Sequence, residues 1–194
     1  MTGTTSGTTS GTTTGTTSGT TRVIVGLSGS LGSLAALYRA VAEAARREAV
    51  LVPVAAWSPS DGDQRGPRPL SELEHAARRR IDTAFEQAFG GYPAGLVIHP
   101  LTVRGNAGPA LVSAVTGPAD RLVIGIGRHG RLGRLLPGSV LGHCHAHASC
   151  PVVPVSPSEL LERLELSARS GAPLPFAAGH HGAGGSLPRP VGVR

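Results

Sequence analysis

The chain has 194 residues, enough for one folded domain with a hydrophobic core. Its net charge of +6 comes from arginine alone, and only 3% of residues are aromatic, so it lacks the stacking side chains of a nucleic-acid platform. No apolar stretch reaches the roughly 18 residues of a membrane span, and no signal-peptide pattern opens the chain. With two cysteines and no disulfide scaffold, we expect a cytoplasmic protein without membrane or nucleic-acid partners.

Both ends of the chain are predicted to be disordered. Residues 2–21 contain only Thr, Gly and Ser, and residues 170–194 are rich in Gly and Pro without an apolar period. Neither segment offers side chains whose burial would offset backbone ordering, so we expect disordered tails over 1–21 and 170–194. A folded domain is predicted over 22–156, followed by a short helix over 157–169 with Ser158 as its N-cap.

The predicted domain alternates short apolar, β-branched runs with segments of helical period. The predicted strands are RVIVGL (22–27), AVLVPVAAW (49–57), GLVIHPLTV (95–103), RLVIGI (121–126) and CPVVPV (150–155). The predicted helices cover 34–48, 71–90 and 106–116, with a fourth beginning near Ser139. Such alternation predicts an α/β fold with a largely parallel sheet and right-handed crossovers.

Local patterns predict the ends of the second helix and the effect of two prolines inside predicted strands. Ser71 and Glu74 form a capping-box pattern at the start of the second helix, and Gly90 is expected to end it. Pro53 and Pro154 lie inside predicted strands, where each removes a ladder donor. Pro154 suits an edge strand, whereas Pro53 suggests a bulge or an early end of its strand.

Two glycine-rich turns follow predicted strands: GLSGSLGS (26–33) after the first and GRHGRLGRLLPGS (127–139) after the fourth. A strand, a glycine-rich turn and a helix together present backbone N–H groups and a helix dipole to an anion. If the two strands are neighbours, both turns face one crevice, where a nucleotide-sized ligand is expected. The alternative is ordinary turn chemistry with a helix N-cap, and the loop arginines Arg128, Arg131 and Arg134 either clamp phosphates or form a solvated face.

The histidines and cysteines of GHCHAHASC do not predict a metal site. His143 and His147 are four residues apart, but His145 points away from them on a helix and no CxxC pair exists. Cys150 is more simply a buried apolar residue. GLSGS lacks the spacing of a nucleophile elbow, so we predict no catalytic residues.

Several segments together resemble the universal stress protein family. RVIVGLSGS…ALYRAVAEAARREAVLVPVAAW, VRGNAGPALVSAV and ADRLVIGIGRHGRLGRLLPGSV…ASCPVVPV follow in the family's order and cover most of Arg22–Val155. The resemblance implies a five-stranded, parallel, open sheet of Rossmann-like type, with strand order 3-2-1-4-5 and helices on both faces. It also implies a dimer in most members and an ATP site in many.

The resemblance carries the family's ATP signature onto named residues. Gly127 and Gly130 match its first two glycines, Gly138, Ser139 and Val140 match its last part, and Ala56 falls near the adenine. Seven residues, 131–137, separate the second and third glycines where the signature has nine. Ser28 stands where the family has an aspartate, and it offers a neutral hydroxyl of shorter reach to a ribose or base.

The resemblance implies an ATP-binding regulatory module in stress response, with Mg²⁺ optional and a protein partner that the sequence does not identify. It is expected to be regulatory rather than a metabolic enzyme, and the sequence leaves ATP hydrolysis open. The alternative is a nucleotide-free dimeric interaction module, which Ser28 and the shortened loop favour. A homodimer is expected in both cases, through CPVVPV or the helix after it, because CPVVPV is apolar on both faces.

Overall fold

The computed structural model describes residues 20–59, 69–127, 139–158 and 161. Five parallel strands form one sheet in the order β3-β2-β1-β4-β5. The elements are β1 (Arg22–Gly26), α1 (Leu31–Arg47), β2 (Val50–Trp57), α2 (Leu70–Phe89), β3 (Leu101–Arg104), α3 (Ala107–Ser113), β4 (Arg121–Gly125), α4 (Val140–His147) and β5 (Val152–Val155). The predicted α/β fold and its strand order are confirmed.

Helices cover both faces of the sheet, and the strands divide their side chains between them. Val23 and Val25 pack with α1 and α2, whereas Ile24 between them packs with α3 and α4. Alternate side chains of a strand point to opposite faces, so a strand covered on both sides is apolar throughout. This explains why the central strands read as continuous apolar runs.

Pro53 lies in the middle of β2 without interrupting it, so the predicted bulge or early strand end is wrong. Leu51 exchanges backbone hydrogen bonds with Val97 and His99 on the β3 side. Pro53, two residues further on, directs its nitrogen to the same side but has no N–H to donate. The position without a hydrogen-bond donor lies between the isolated bridge at Leu51 and the ladder with β3, which starts only at Leu101. The proline therefore shortens the neighbouring strand rather than its own.

Pro154 lies on the edge strand, as predicted. The carbonyls of Pro151 and Val155 accept hydrogen bonds from Leu122 and Ile126 on the β4 side. Alternate residues of a strand direct their backbone groups to opposite sides, so the Pro154 nitrogen points to the open edge of the sheet. No ladder bond is lost there.

The two ends of α2 differ in how well they were predicted. The helix begins at Leu70 with Pro69 as its N-cap and no side-chain cap, so the predicted capping box at Ser71 is wrong. Ser71 is already helical, and its carbonyl lies 2.6 Å from the His75 ring Nδ1. Gly90 ends the helix in the left-handed conformation, with φ of 69°, as predicted.

The predicted terminal segments lie largely outside the described residues. Residues 1–19 and 162–194 are among those not described, so the two predicted tails remain predictions. Helical backbone begins at Pro157, which places Ser158 inside the first turn and not at the predicted N-cap. Within the described part of the chain, no helix combines the length and apolar character needed to cross a membrane.

Candidate functional site

The candidate site lies at the carboxyl edge of the sheet, between β1 and β4. β1 is central, with β2 on one side and β4 on the other, so the connections leaving β1 and β4 start at adjacent positions. The strand order reverses at this point, which is where open α/β sheets bind ligands. Residues 27–30 from the first turn and Ile126 and Gly127 from the second therefore border one crevice.

Two glycines let α1 pack directly on the end of β4. A β-carbon on Gly32 would lie 2.7 Å from the Ile126 carbonyl oxygen, and one on Gly125 would lie 2.1 Å from the Gly32 oxygen. Both distances are too short for real atoms, so only glycine allows this backbone contact. The sequence signal was a glycine in a buried strand and another in the turn, but the pairing of the two was not predicted.

Ser28 is exposed in the crevice and belongs to a small hydroxyl network. Its Oγ lies 3.0 Å from the Oγ of Ser30, which is the N-cap of α1 and accepts a hydrogen bond from the Ser33 N–H at 3.2 Å. Gly29 between the serines has a φ of +82°, a conformation that glycine adopts readily. The first turn therefore presents neutral hydroxyl groups to the crevice.

Ala56 lies half-buried near the end of β2, on the other side of the first turn. The N–H of Leu27 donates to the Val54 carbonyl at 2.8 Å, so even-numbered β2 residues direct their backbone groups toward β1. The Ala56 carbonyl accepts a hydrogen bond from Arg80 Nη2 on α2 at 2.8 Å. This contact was missed, because nothing in the sequence links α2 to the end of β2.

Ser139 is the N-cap of α4, which confirms its predicted place at the start of that helix. Its Oγ accepts a hydrogen bond from the Gly142 N–H at 3.0 Å. Val140 follows as the first helical residue with 36% of its surface exposed, and Gly127 is exposed just past β4. Gly130, Gly138 and the loop arginines Arg128, Arg131 and Arg134 lie outside the described residues.

Among the described residues, the histidines and cysteines of GHCHAHASC do not gather around one centre, because Cys144 and Cys150 are buried whereas His145 and His147 are exposed. The rings of His143 and His147 lie 4.4 Å apart, and His143 covers Gly108 of α3. Burial, with a smaller contribution from Cys150, raises the pKa of the Cys144 thiol to about 11. A protonated thiol is a poor metal ligand. Among the described residues, no group of three or more His, Cys, Asp or Glu is placed to hold a metal ion.

Asp120, a buried carboxylate, lies at the amino edge of the sheet, opposite the crevice. It accepts four hydrogen bonds, from the backbone of Arg22 (3.0 Å) and Gly117 (3.2 Å) and from the backbone and hydroxyl of Thr116 (2.8 and 2.9 Å). Burial raises the pKa of this carboxyl, but the hydrogen bonds outweigh burial and the net pKa lies below the ordinary value. Asp120 therefore joins β1 to the turn before β4 and has a structural role.

Glu43 is a second buried carboxylate at the same edge. It forms ion pairs with Arg46 and Arg47 of its own helix and with Arg121 of β4, at 3.5 Å for Arg47 and 3.3 Å for Arg121. Its three cationic neighbours compensate the buried charge. Neither buried carboxylate borders the crevice.

Comparison with known proteins supports this description of the fold. The model of the universal stress protein family matches residues 19–156. A universal stress protein solved in complex with cAMP is 28% identical, covering 71% of this chain and 97% of its own, with a TM-score of 0.46. A universal stress protein family member from Burkholderia pseudomallei is 25% identical, covering 70% of this chain and 95% of its own, with a TM-score of 0.50.

Universal stress protein UspA from Lactobacillus plantarum shares the fold at 20% identity, with 70% of this chain and 97% of its own covered and a TM-score of 0.50. No curated protein matches the chain. The family match extends from just before β1 to just after β5 and so includes every strand of the sheet. The chain therefore belongs to the universal stress protein family.

Proposed function

We propose that this chain is a nucleotide-binding regulatory module of the stress response, with ATP as the principal ligand. One observation carries the proposal: the Gly32–Gly125 contact brings the N-terminus of α1 against the strand that leads to α4. In this proposal the turns after β1 and β4, each followed by a helix N-terminus, border one crevice and offer it N–H groups and helix dipoles suited to an anion. We expect the module to be cytoplasmic and to signal to a protein partner through the ligand's effect on these turns.

In this proposal the phosphates lie on the second turn. Gly127, Gly130 and Gly138 would let backbone N–H groups approach the phosphate oxygens closely, because glycine has no β-carbon in the way. Ser139 Oγ accepts from Gly142 and, as a hydroxyl, can also donate to a phosphate oxygen. Val140 would contact the ligand through its exposed side chain. Mg²⁺ would accompany the phosphates without being required.

The nucleoside lies at the first turn and the end of β2. Ser28 offers an exposed hydroxyl to the ribose or base and would exchange its bond with Ser30 for one to the ligand. The Ala56 carbonyl is engaged by Arg80, so Ala56 contributes its methyl group to the adenine surface. Because Ser28 is neutral, we expect binding weaker than in family members that have the aspartate.

The second candidate is a nucleotide-free module that acts as a dimer. It is favoured by β5, an edge strand whose Val152 and Val153 are only half-buried and whose Pro154 is exposed. An apolar edge of this kind is usually covered in a soluble protein. The two candidates share the dimer and differ in the ligand.

Nucleotide extraction tests the proposal directly. Purified protein is denatured, and the released small molecules are separated by chromatography, which should yield an adenine nucleotide. ATP should also raise the melting temperature of emptied protein, with or without Mg²⁺. The variant Gly138→Val should lose this shift while keeping its own melting transition, because a side chain there obstructs the phosphates. If ATP, ADP and AMP at millimolar concentration leave the wild-type melting temperature unchanged, the nucleotide-free module replaces the proposal.

A further inference from the structure

A cavity of about 290 Å³ lies between α1 and α2, beside the first turn. Gly29 and Leu34 line it on one side, and Arg79, Arg80, Thr83 and Gln87 line it on the α2 side. Its volume is near the lower end of ligand-binding pockets, roughly 300–1,000 Å³. The α2 residues recur at helical spacing, so one face of the helix presents two guanidinium groups, a hydroxyl and an amide to the cavity.

The cavity carries positive charge that no carboxylate of the described residues balances. Among the described residues, none that lines the cavity is acidic, and neither Arg79 nor Arg80 forms an ion pair. Arg78, the preceding residue, instead pairs with Asp82 at 3.7 Å. Arg80 is half-buried and donates one hydrogen bond to the neutral Ala56 carbonyl. A guanidinium has five N–H donors, so most of its capacity is available for an anion.

The cavity lies beside the nucleoside end of the proposed nucleotide site. Gly29 directly follows Ser28, and Arg80 is bonded to Ala56, so the cavity adjoins the two residues assigned to the nucleoside. The proposed polyphosphate lies toward β4 and α4, on the other side of β1. Adenine is uncharged, so an anion at the nucleoside end would have to be on the ribose.

The residue types at this end also favour an anion. In dinucleotide-binding folds an acidic residue binds the ribose hydroxyls, whereas an arginine accommodates a ribose phosphate. Here the acidic position holds the neutral Ser28, and arginines border the neighbouring cavity. An aspartate at that position would repel a ribose phosphate, and its absence removes the repulsion.

We propose that this cavity binds a phosphate on the ribose, so that an adenosine nucleotide phosphorylated at the 2′ or 3′ position binds more tightly than the same nucleotide without that phosphate. The inference rests on the proposed function, because it takes the nucleoside to lie at Ser28 and Ala56. Arg79 and Arg80 would bind the phosphate, and the Thr83 hydroxyl would donate to it.

Isothermal titration of the full chain with three nucleotides tests the inference. AMP lacks a ribose phosphate beyond the 5′ position, whereas adenosine 2′,5′-bisphosphate and adenosine 3′,5′-bisphosphate each carry one more. At least one bisphosphate should bind about tenfold more tightly than AMP, the effect of one added hydrogen-bonded charge. The ratio of bisphosphate affinity to AMP affinity should fall to about one in the double variant Arg79→Gln/Arg80→Gln. It should fall partway in the single variant Arg79→Gln, which leaves the contact between Arg80 and Ala56 intact.

Arg78→Gln is the matched control, because Arg78 precedes the two cavity arginines on α2 but does not line the cavity. It should keep the wild-type ratio. Equal binding of AMP and both bisphosphates by the wild type would overturn the ribose-phosphate site while leaving the proposed nucleotide module in place. An unchanged ratio in the double variant would also overturn it. Failure of ATP, AMP and both bisphosphates to bind would overturn both proposals together.

Discussion

Gly125 contacts Gly32 so closely that a β-carbon on Gly125 would lie 2.1 Å from the Gly32 carbonyl oxygen. The two residues are far apart in sequence, yet their contact fixes where the first turn stands relative to the end of β4. The atoms that such a β-carbon would meet are all backbone atoms, which cannot rotate away as a side chain could. The arrangement of the crevice therefore depends on glycine at both positions, because any side chain there would clash with backbone atoms.

The first prediction follows from that contact. Gly125→Ala should lower the free energy of unfolding by about 1–3 kcal/mol or more, because the added methyl must displace backbone. Urea denaturation measures the change. Gly117→Ala is the control, since a β-carbon there meets nothing within 4 Å and its cost should stay within about 0.5 kcal/mol. Equal stability of the two variants would show that α1 does not depend on the glycine contact.

Asp120 should make the stability dependent on pH in the acid range. Its folded pKa lies below the ordinary unfolded value of about 3.9. The contribution of Asp120 to the free energy of unfolding is therefore fully present at a pH above the unfolded pKa. It is lost as the pH falls through the lower pKa of the folded state. Asp120→Asn should cost about 1–3 kcal/mol at neutral pH.

The cost of Asp120→Asn relative to the wild type should shrink as the pH drops below 4, which acid-range urea titrations would follow. Glu86→Gln, at an exposed position of α2, is the control variant. A cost for Asp120→Asn that is constant between neutral pH and pH 2 would contradict the assignment of these hydrogen bonds to the ionised carboxylate.

Ser139 has two separable roles, a helix cap and a proposed phosphate donor. Ser139→Ala should lower stability by about 0.5–2 kcal/mol through loss of the cap and weaken ATP binding by about 1–3 kcal/mol. Ser139→Asp should recover the stability, because aspartate is a good N-cap, but not the binding, because its charge repels phosphate. Thermal melts and calorimetry separate the two effects.

Ser28→Asp should change the nucleotide preference of the site. It restores the family's acid, so affinity for ATP should rise through charge-assisted hydrogen bonds to the ribose hydroxyls. Affinity for a ribose-phosphorylated nucleotide should fall, since the new carboxylate repels the second phosphate. Calorimetric titration with both ligand types would measure this, and parallel changes for both would contradict placement of the nucleoside at Ser28.

A homodimer is expected at micromolar concentration by light scattering. If β5 forms the interface, Pro154→Glu should produce monomers, because it places a charge on the exposed edge without touching the core. If the segment after β5 forms it, the same variant should stay dimeric. A monomeric mass for the wild type would contradict both.

The elements and their order were predictable because they depend on local patterns and on the family resemblance. β-branched runs indicated five strands, although the third, predicted over 95–103, is limited to Leu101–Arg104. Gly90 and Ser139 marked helix ends, since a left-handed C-cap and a hydroxyl N-cap act within a few residues. Ser71 misled because a capping-box pattern does not exclude a start one residue earlier, after Pro69.

The contacts that shape the site were not predictable, because they join residues distant in sequence. Arg80 reaches the Ala56 carbonyl across the space between α2 and β2, and no local pattern encodes that distance. Pro53 misled for a related reason: its missing donor affects the partner strand, which sequence alone does not identify.

The central place of β1 has a consequence for folding during synthesis. β1 is made first, but one of its two edges pairs with β4, which is synthesised only when residues 121–125 are added. At about 5–20 residues per second, that edge waits on the order of 5–20 s for its partner. The nascent chain therefore exposes an apolar strand edge throughout this interval, and the sheet can close only after most of the domain has left the ribosome.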